Sequence, residues 1–397
     1  MSQKILFITS NNLSTNPRLV KELRLAQQNG YQSTVILFQL GNWSDRLDAE
    51  LQSGFSTVNF IRLSATRNPF LPWLFSSVLE KLYRTLPRNL LSVSMLSISV
   101  GKRSFLLQEA IKKIPDDFHW VIAHNPAAFY PALQASQRTR ARLGIDVEDY
   151  HPGEAKSDKM AESVRLLMKT VLTKANYCSY AAPLIMKEVH NDFPALKGQQ
   201  ITLLNGFESS EFLPPLQIEK TPLQLIWFSQ NIDINRGLEN LIPAVNELYP
   251  FVELHLVGNL KSRFDQQSLR NNTGIILHKP KPQKELHSFL SEFDIGVAPD
   301  IPVDRNRELA LTNKIIAYAQ AGLYILATKT KAHLNFLSTS ELQFHFTGYT
   351  TENLRESLLH LVNLKKKIRH DRVNRFKAGK AYNWETNSQE LIQVWEK

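Results

Sequence analysis

The chain has 397 residues, enough for two globular domains of about 100–200 residues each. Its 43% apolar and 21% charged residues exclude a disordered or fibrous chain. The single cysteine, Cys178, excludes an internal disulfide and fits a reducing compartment, while a net charge of +10 leaves nucleic acid, an anionic membrane surface or a phosphorylated substrate as partners.

The first strand-like run, 4–9, passes at once into polar residues, so it does not read as a secretion signal. No run reaches the roughly 18–20 unbroken apolar residues of a membrane span, and the cytoplasm is the expected compartment. A helix is predicted over 17–29: Asn16 can cap it, Pro17 suits its first position, and Gly30 falls just past its end. Short, apolar, β-branched runs at 33–37, 58–62, 120–123, 143–147, 177–180 and 201–204 alternate with helical segments, as buried parallel strands do. Cys178 lies in one of them and reads as a buried thiol.

The segment 69–113 differs. It carries Phe70, Leu71, Trp73, Leu74, Phe75 and Val78, and from Arg62 to Lys113 nine Lys or Arg residues stand against two acids, Glu80 and Glu109. Two readings stay open: an amphipathic helical pair lying on an anionic membrane, or a helical insertion that packs its apolar face on its own domain. No nucleic-acid motif accompanies the charge, so a nucleic-acid partner is not expected.

After Leu213-Pro214-Pro215-Leu216, which reads as a linker, the alternation restarts. Strands are predicted at 223–228, 252–257, 274–277, 294–298 and 323–327, and helices at 237–248, 283–292 and 312–321. The predicted fold class is therefore α/β, with two Rossmann-like domains built on parallel sheets.

In such sheets ligands bind at the carboxyl ends of strands, and phosphates favour helix N-termini. A base in a first helical turn opposes the helix dipole, which an anionic ligand would explain. Arg18, Arg236-Gly237 and Lys314 occupy such places, and the competing reading of each is a solvated surface base. Neither first strand leads into G-x-G-x-x-G, and no P-loop occurs, so a tightly bound dinucleotide and P-loop ATP hydrolysis are not expected. No His, Cys or acid cluster has metal-ligand spacing, so no metal is expected. Asp146 to Glu154, with Glu148, Asp149 and His151, follows one strand, and His124-Asn125-Pro126 follows another. A histidine there can orient a sugar hydroxyl or act as a general acid or base, and the competing reading is loop capping by Asp, Asn and His.

Several motifs, in order, resemble those of the family 4 (group 1) glycosyltransferases, which have the GT-B fold. They are Asn16-Pro17-Arg18, His124, Leu204-Asn205-Gly206-Phe207, Arg236-Gly237-Leu238-Glu239, Leu256-Val257-Gly258, the run from Asn313-Lys314 to Ala321-Gly322, and Trp384-Glu385. The resemblance implies two domains facing each other across a cleft. Residues 1–213 would form the acceptor side, with the basic and apolar segment at 67–113. Residues 216–380 would hold the donor, and 384–397 would form a helix crossing back. It implies retaining, metal-independent transfer of a hexose from a nucleotide-diphosphate sugar to a hydroxyl, with no tightly bound cofactor. The acceptor would be a glycan or lipid-linked sugar, in bacterial polysaccharide or glycolipid synthesis, with peripheral attachment to the inner membrane face left open. On this reading His124 and Glu308 are the catalytic candidates. Gln230, Asn231, Arg236, Gly237, Asn313 and Lys314 bind the donor, and Asn16, Arg18, Glu148, Asp149 and His151 the acceptor.

The sequence departs from the family at the donor sugar. Two glutamates eight positions apart are replaced by Leu309 and Ala317, with Glu308 adjacent to the first, and the usual arginine after the strand is Gln230. Three other functions stand behind glycosyl transfer: a nucleotide-sugar epimerase of the same fold, a non-catalytic binding subunit, suggested by the missing glutamates, and a nucleic-acid-binding protein, suggested only by the charge.

Overall fold

The computed structural model describes residues 3–115, 117–217, 221–264, 269 and 272–397. They divide into two compact units, Met1–Leu203 with Glu390–Lys397, and Leu204–Gln389.

The first unit holds a parallel sheet of seven strands among the described residues: β1 (Lys4–Thr9), β2 (Gln32–Gln39), β3 (Asn59–Ser64), β4 (Trp120–His124), β5 (Arg142–Val147), β6 (Tyr177–Tyr180) and β7 (Gln199–Thr202), in the order β3-β2-β1-β4-β5-β6-β7. The order reverses between β1 and β4, which opens a crevice at their carboxyl ends. Strands β1, β4 and β6 are buried almost throughout, so their residues read as continuous apolar runs. Cys178 lies inside β6, and burial pushes its thiol up to about 12. The last strand lies two residues earlier than predicted, because Gln199 to Thr202, not the more apolar Leu203-Leu204, pair with β6. The helix Pro17–Gln28 starts as its sequence predicts: the Asn16 side chain accepts from the Leu19 N–H at 3.1 Å.

The second unit repeats the plan with β8 (Leu223–Ile232), β9 (Val252–Leu260), β10 (Ile275–His278), β11 (Ile295–Ala298), β12 (Tyr324–Thr328) and β13 (Phe344–Thr347), ordered β10-β9-β8-β11-β12-β13 and all parallel. Here the order reverses between β8 and β11. Leu225, Trp227, Leu254, Leu256, Val297 and Leu326 form its core with the helices Leu238–Glu247 and Thr351–Asn363. Strand β13 is absent from the sequence reading, because its run Phe-His-Phe-Thr is short, polar at two positions and half-buried at the sheet edge. Residues 204–213, assigned by sequence to the first domain, pack within the second unit. Phe207 and Phe212 bracket the His287 ring, with centroids 4.2 and 4.7 Å away.

Candidate functional site

The carboxyl ends of β8 and β9 open onto a pocket of about 550 Å³ in the second unit. Its wall includes Gln230, Asn313 and Lys314, which the sequence had singled out for the donor. Strand β8 changes register with β9 between Phe228 and Asn231, and this irregularity turns Ser229 and Gln230 into the pocket. Asn231 has rejoined the ladder opposite Asn259 and does not line it.

Lys314 sits in the first turn of the helix Asn313–Gln320. Its ammonium is 3.2 Å from the Asp300 carboxylate, and its side chain is only 12% exposed. Burial alone would raise the Asp300 carboxyl, but Lys314, then the nearby His333, hold it below its usual range. Burial lowers His333, whose Nδ1 lies 2.8 Å from the Thr328 carbonyl. A fixed, partly desolvated cation thus stands in the first turn of a helix, which suits a diphosphate. Thr312 holds the N-cap position of this helix, but its hydroxyl makes no capping bond.

Arg236 is half-buried within the field of Asp300. Gly237 has φ +76°, and a Cβ there would stand 1.9 Å from the Pro299 carbonyl oxygen. Only glycine lets the start of the helix Leu238–Glu247 approach the loop after β11 so closely.

Glu308 is placed differently from its expected role. Its carboxylate binds Arg305 at 2.7 Å and Lys331 at 3.1 Å. These cations outweigh burial and hold it below its usual range, and it is not part of the pocket wall. Leu309 and Ala317, at the positions of the missing glutamates, are core residues, 3% and 0% exposed.

Lys281, Gln283 and His287 also line this pocket and were not anticipated. Gln283 and His287 reach Glu211, at 3.0 and 2.7 Å. Phe207, from the sequence motif ending at that residue, completes the wall.

In the first unit a pocket of about 750 Å³ lies where the sheet order reverses, reached by Ser10 after β1, Ala127 after β4 and His151 after β5. The His151 ring is 9% exposed, and its Nδ1 is 3.1 Å from Glu154. Its Nε2 is buried and without a hydrogen-bond partner among the described residues. Arg103 and Lys156 line the same pocket. Arg103 donates to the Ser10 carbonyl at 2.6 Å, and burial lowers its pKa. Glu148 and Asp149 are half-buried beyond the end of β5 and are not part of the wall. Burial, against the pull of Arg18, raises the Glu148 carboxyl to about 7.

The structure does not bring Asn16, Arg18 or His124 to this surface. Asn16 is spent on its helix cap. Arg18 is fully buried and bidentate to Asp146, at 2.7 and 2.5 Å. Asp146 outweighs burial and holds the guanidinium well above its usual range. His124 is 1% exposed, 3.4 Å from Glu22 and 3.3 Å from Asp146. Burial opposes its charge, but Glu22 and Asp146 prevail and raise it to about 10. The role expected of His124 in touching substrate does not fit this burial. Glu22, His124 and Asp146 are close enough to share a cation, a grouping that linear spacing cannot show. Arg18 already occupies Asp146, so two cations balance two anions.

No family model matches the chain, and no curated protein matches it. Solved structures do match over essentially its whole length. Sucrose-phosphate synthase from Thermosynechococcus elongatus is 13% identical, covers 99% of this chain and 98% of its own, and superposes with a TM-score of 0.68. HepE of Anabaena, solved with UDP, is 14% identical over 99% of this chain and 100% of its own, with a TM-score of 0.68. A TarM variant of S. aureus, solved with fondaparinux, alpha-GlcNAc-glycerol and UDP, is 10% identical over 100% of both chains, with a TM-score of 0.67. At this identity the likeness concerns architecture, and the chain has the GT-B fold of the glycosyltransferases.

Proposed function

We propose that the protein transfers a sugar from a nucleoside-diphosphate sugar to an acceptor hydroxyl. The observation that carries this reading is Lys314, held by Asp300 at a helix start on the wall of the second unit's pocket. In the transfer, the bond from the anomeric carbon to the diphosphate oxygen breaks and a bond to the acceptor oxygen forms. The acceptor proton leaves with the diphosphate or with a nearby base. Charge develops on the departing diphosphate, where Lys314, Arg236 and the helical N–H groups would meet it. The UDP bound to HepE and TarM supports a nucleotide in this fold.

The finer reading follows the resemblance: family 4, retaining, hexosyl, independent of a tightly held metal or cofactor. It belongs to bacterial polysaccharide or glycolipid synthesis in the cytoplasm. The domains would be those of the sequence reading, with a helix at 384–397 crossing back. The acceptor, a glycan or lipid-linked sugar, would meet His151 in the first unit's pocket, with Glu148 and Asp149 near its rim. No helix among the described residues is long and apolar enough to cross a membrane. Peripheral attachment would use 67–113, where Phe70, Leu71 and Phe75 are exposed.

Thermal unfolding in the presence of UDP, GDP and their sugars tests this reading. A nucleotide at about 100 times its dissociation constant stabilises by about 2.7 kcal/mol. The wild type should gain this with one nucleotide class, and Lys314→Ala and Arg236→Ala should lose it. No gain with any nucleotide sinks the proposal. Consumption of the nucleotide sugar without an acceptor would redirect it to an epimerase.

A further inference from the structure

The largest pocket among those described, about 990 Å³, lies apart from both sites, between β3 and the helix Phe70–Thr85 of the first unit. Four successive strand residues line it: Ile61, Arg62, Leu63 and Ser64. Successive side chains of a strand point to opposite faces, so a cavity that borders all four lies against the strand's edge. Strand β3 ends its sheet, paired with β2 on one side and with no strand on the other among the described residues. Its outward N–H and C=O groups therefore face this pocket without a ladder partner.

This edge differs from the other three sheet edges. Strands β7, β10 and β13 have four residues each, and short edges offer little to pair with. Strand β3 has six and keeps register with β2 throughout, from Thr34 opposite Asn59 to Gln39 opposite Ser64. A regular edge of that length is a template for one more strand. The two faces of such a strand would meet different chemistry. On one, Ile61 and Leu63 are continued by Leu74, Phe105, Leu106 and Ile114 of the pocket wall, and Leu71 and Val78 remain 75% and 52% exposed beside them. On the other, Arg62 donates to Gln52 of the helix Ser44–Ser53 at 2.8 Å, a neutral partner that leaves its charge unbalanced. Lys113 adds a second positive charge to the lining, while its single acid, Glu109, is bound to Lys112 at 2.6 Å. An extended segment that alternates apolar and acidic residues complements both faces at once. A second copy of this chain would instead bring its own excess of bases, nine against two acids over 62–113. A lipid surface would cover the edge without pairing its backbone groups, which hydrocarbon does not tolerate.

We propose that β3 is a docking edge for an extended, acidic segment of a partner protein. The segment adds to the first unit's sheet as a further strand, with apolar side chains in the pocket toward Phe105 and Leu106 and carboxylates toward Arg62. The surface is independent of sugar transfer and serves recruitment of this chain by its partner.

Fluorescence polarisation on the full chain tests the edge, with a labelled heptapeptide that alternates glutamate with valine or isoleucine as the probe. Its binding should saturate. The counterpart with lysine for glutamate, and the acidic peptide with methylated backbone nitrogens, should each bind at least about tenfold more weakly, a difference of about 1.4 kcal/mol. Hydrogen exchange at 59–64 should slow in the complex. Val78→Asp, at an exposed position, should weaken the acidic peptide, and Arg62→Glu should weaken it while strengthening the lysine peptide, a reversal that misfolding would not produce. UDP protection should be unchanged in both variants, which keeps the donor reading separate. Absence of saturable binding overturns the proposal. So does equal binding of the lysine or methylated peptide, which means unspecific adhesion, and so does binding without protection at 59–64. Sedimentation with phosphatidylglycerol vesicles that Val78→Asp abolishes, without peptide binding, would replace the edge by a membrane-docking face. A dimer of the full chain that Val78→Asp dissociates would replace the partner by a second copy.

Discussion

At the residue scale, Arg18 shows how the same side chain can be read two ways. An arginine in the first turn of a helix opposes the dipole, and an anion must compensate it. The anion is Asp146, 128 positions away and completely buried with it. A buried pair is costly to break, because the surviving charge keeps its desolvation penalty without its partner. Arg18→Ala should therefore lower unfolding stability in urea by about 3–5 kcal/mol. The same variant should retain nucleotide protection once corrected for its lower baseline. A change of less than about 1 kcal/mol, within the range of exposed pairs, would mean that Arg18 is solvated after all.

At the element scale, strand ends and helix starts place the chemistry. The irregularity after Phe228 directs Gln230, and the helix Asn313–Gln320 directs Lys314, toward one pocket. Gly237 controls a third approach, with a positive φ and no room for a Cβ against Pro299. Gly237→Ala should cost about 1–3 kcal/mol in stability, the usual range for a strained backbone position. It should also weaken nucleotide protection, because the helix bearing Arg236 at its start would have to move off the loop that carries Asp300. An alanine variant with wild-type stability and wild-type nucleotide response would show that this approach is not needed. The two positions that carry glutamates in the family that the sequence resembles, Leu309 and Ala317, lie on buried faces of their helices. A carboxylate there would be buried, and the side chains that line the second unit's pocket come from other elements, among them Lys281, Gln283 and His287.

At the scale of the whole molecule, the buried cluster of Arg18, Glu22, His124 and Asp146 couples stability to pH. The folded His124 pKa, about 10, lies above its ordinary 6.5. Its contribution is thus fully present below about pH 6.5 and is lost as pH rises toward 10. Glu148, raised from 4.5 to about 7, acts in the same direction at lower pH. Melting temperature should fall between about pH 7 and 10, and less steeply in His124→Gln. Parallel curves for the two proteins would assign the fall to other groups.

The sequence by itself determined the plan of this protein. Buried parallel strands must be apolar on both faces, so they show as runs in the chain, and helix starts show their caps and prolines because those contacts are local. Two alternating α/β units, the cap at Asn16, and Gln230, Asn313 and Lys314 as neighbours of one site were legible for this reason. The half-buried edge strand Phe344–Thr347 was not, since pairing on one side only leaves a weak pattern. Tertiary structure alone decided the rest. It put Asp146 against Arg18, Asp300 behind Lys314, Glu211 against His287, and Lys102 over Trp73. Charge partners and shared pocket walls are set by the packing of distant segments, and neither periodicity nor spacing records which segments will meet.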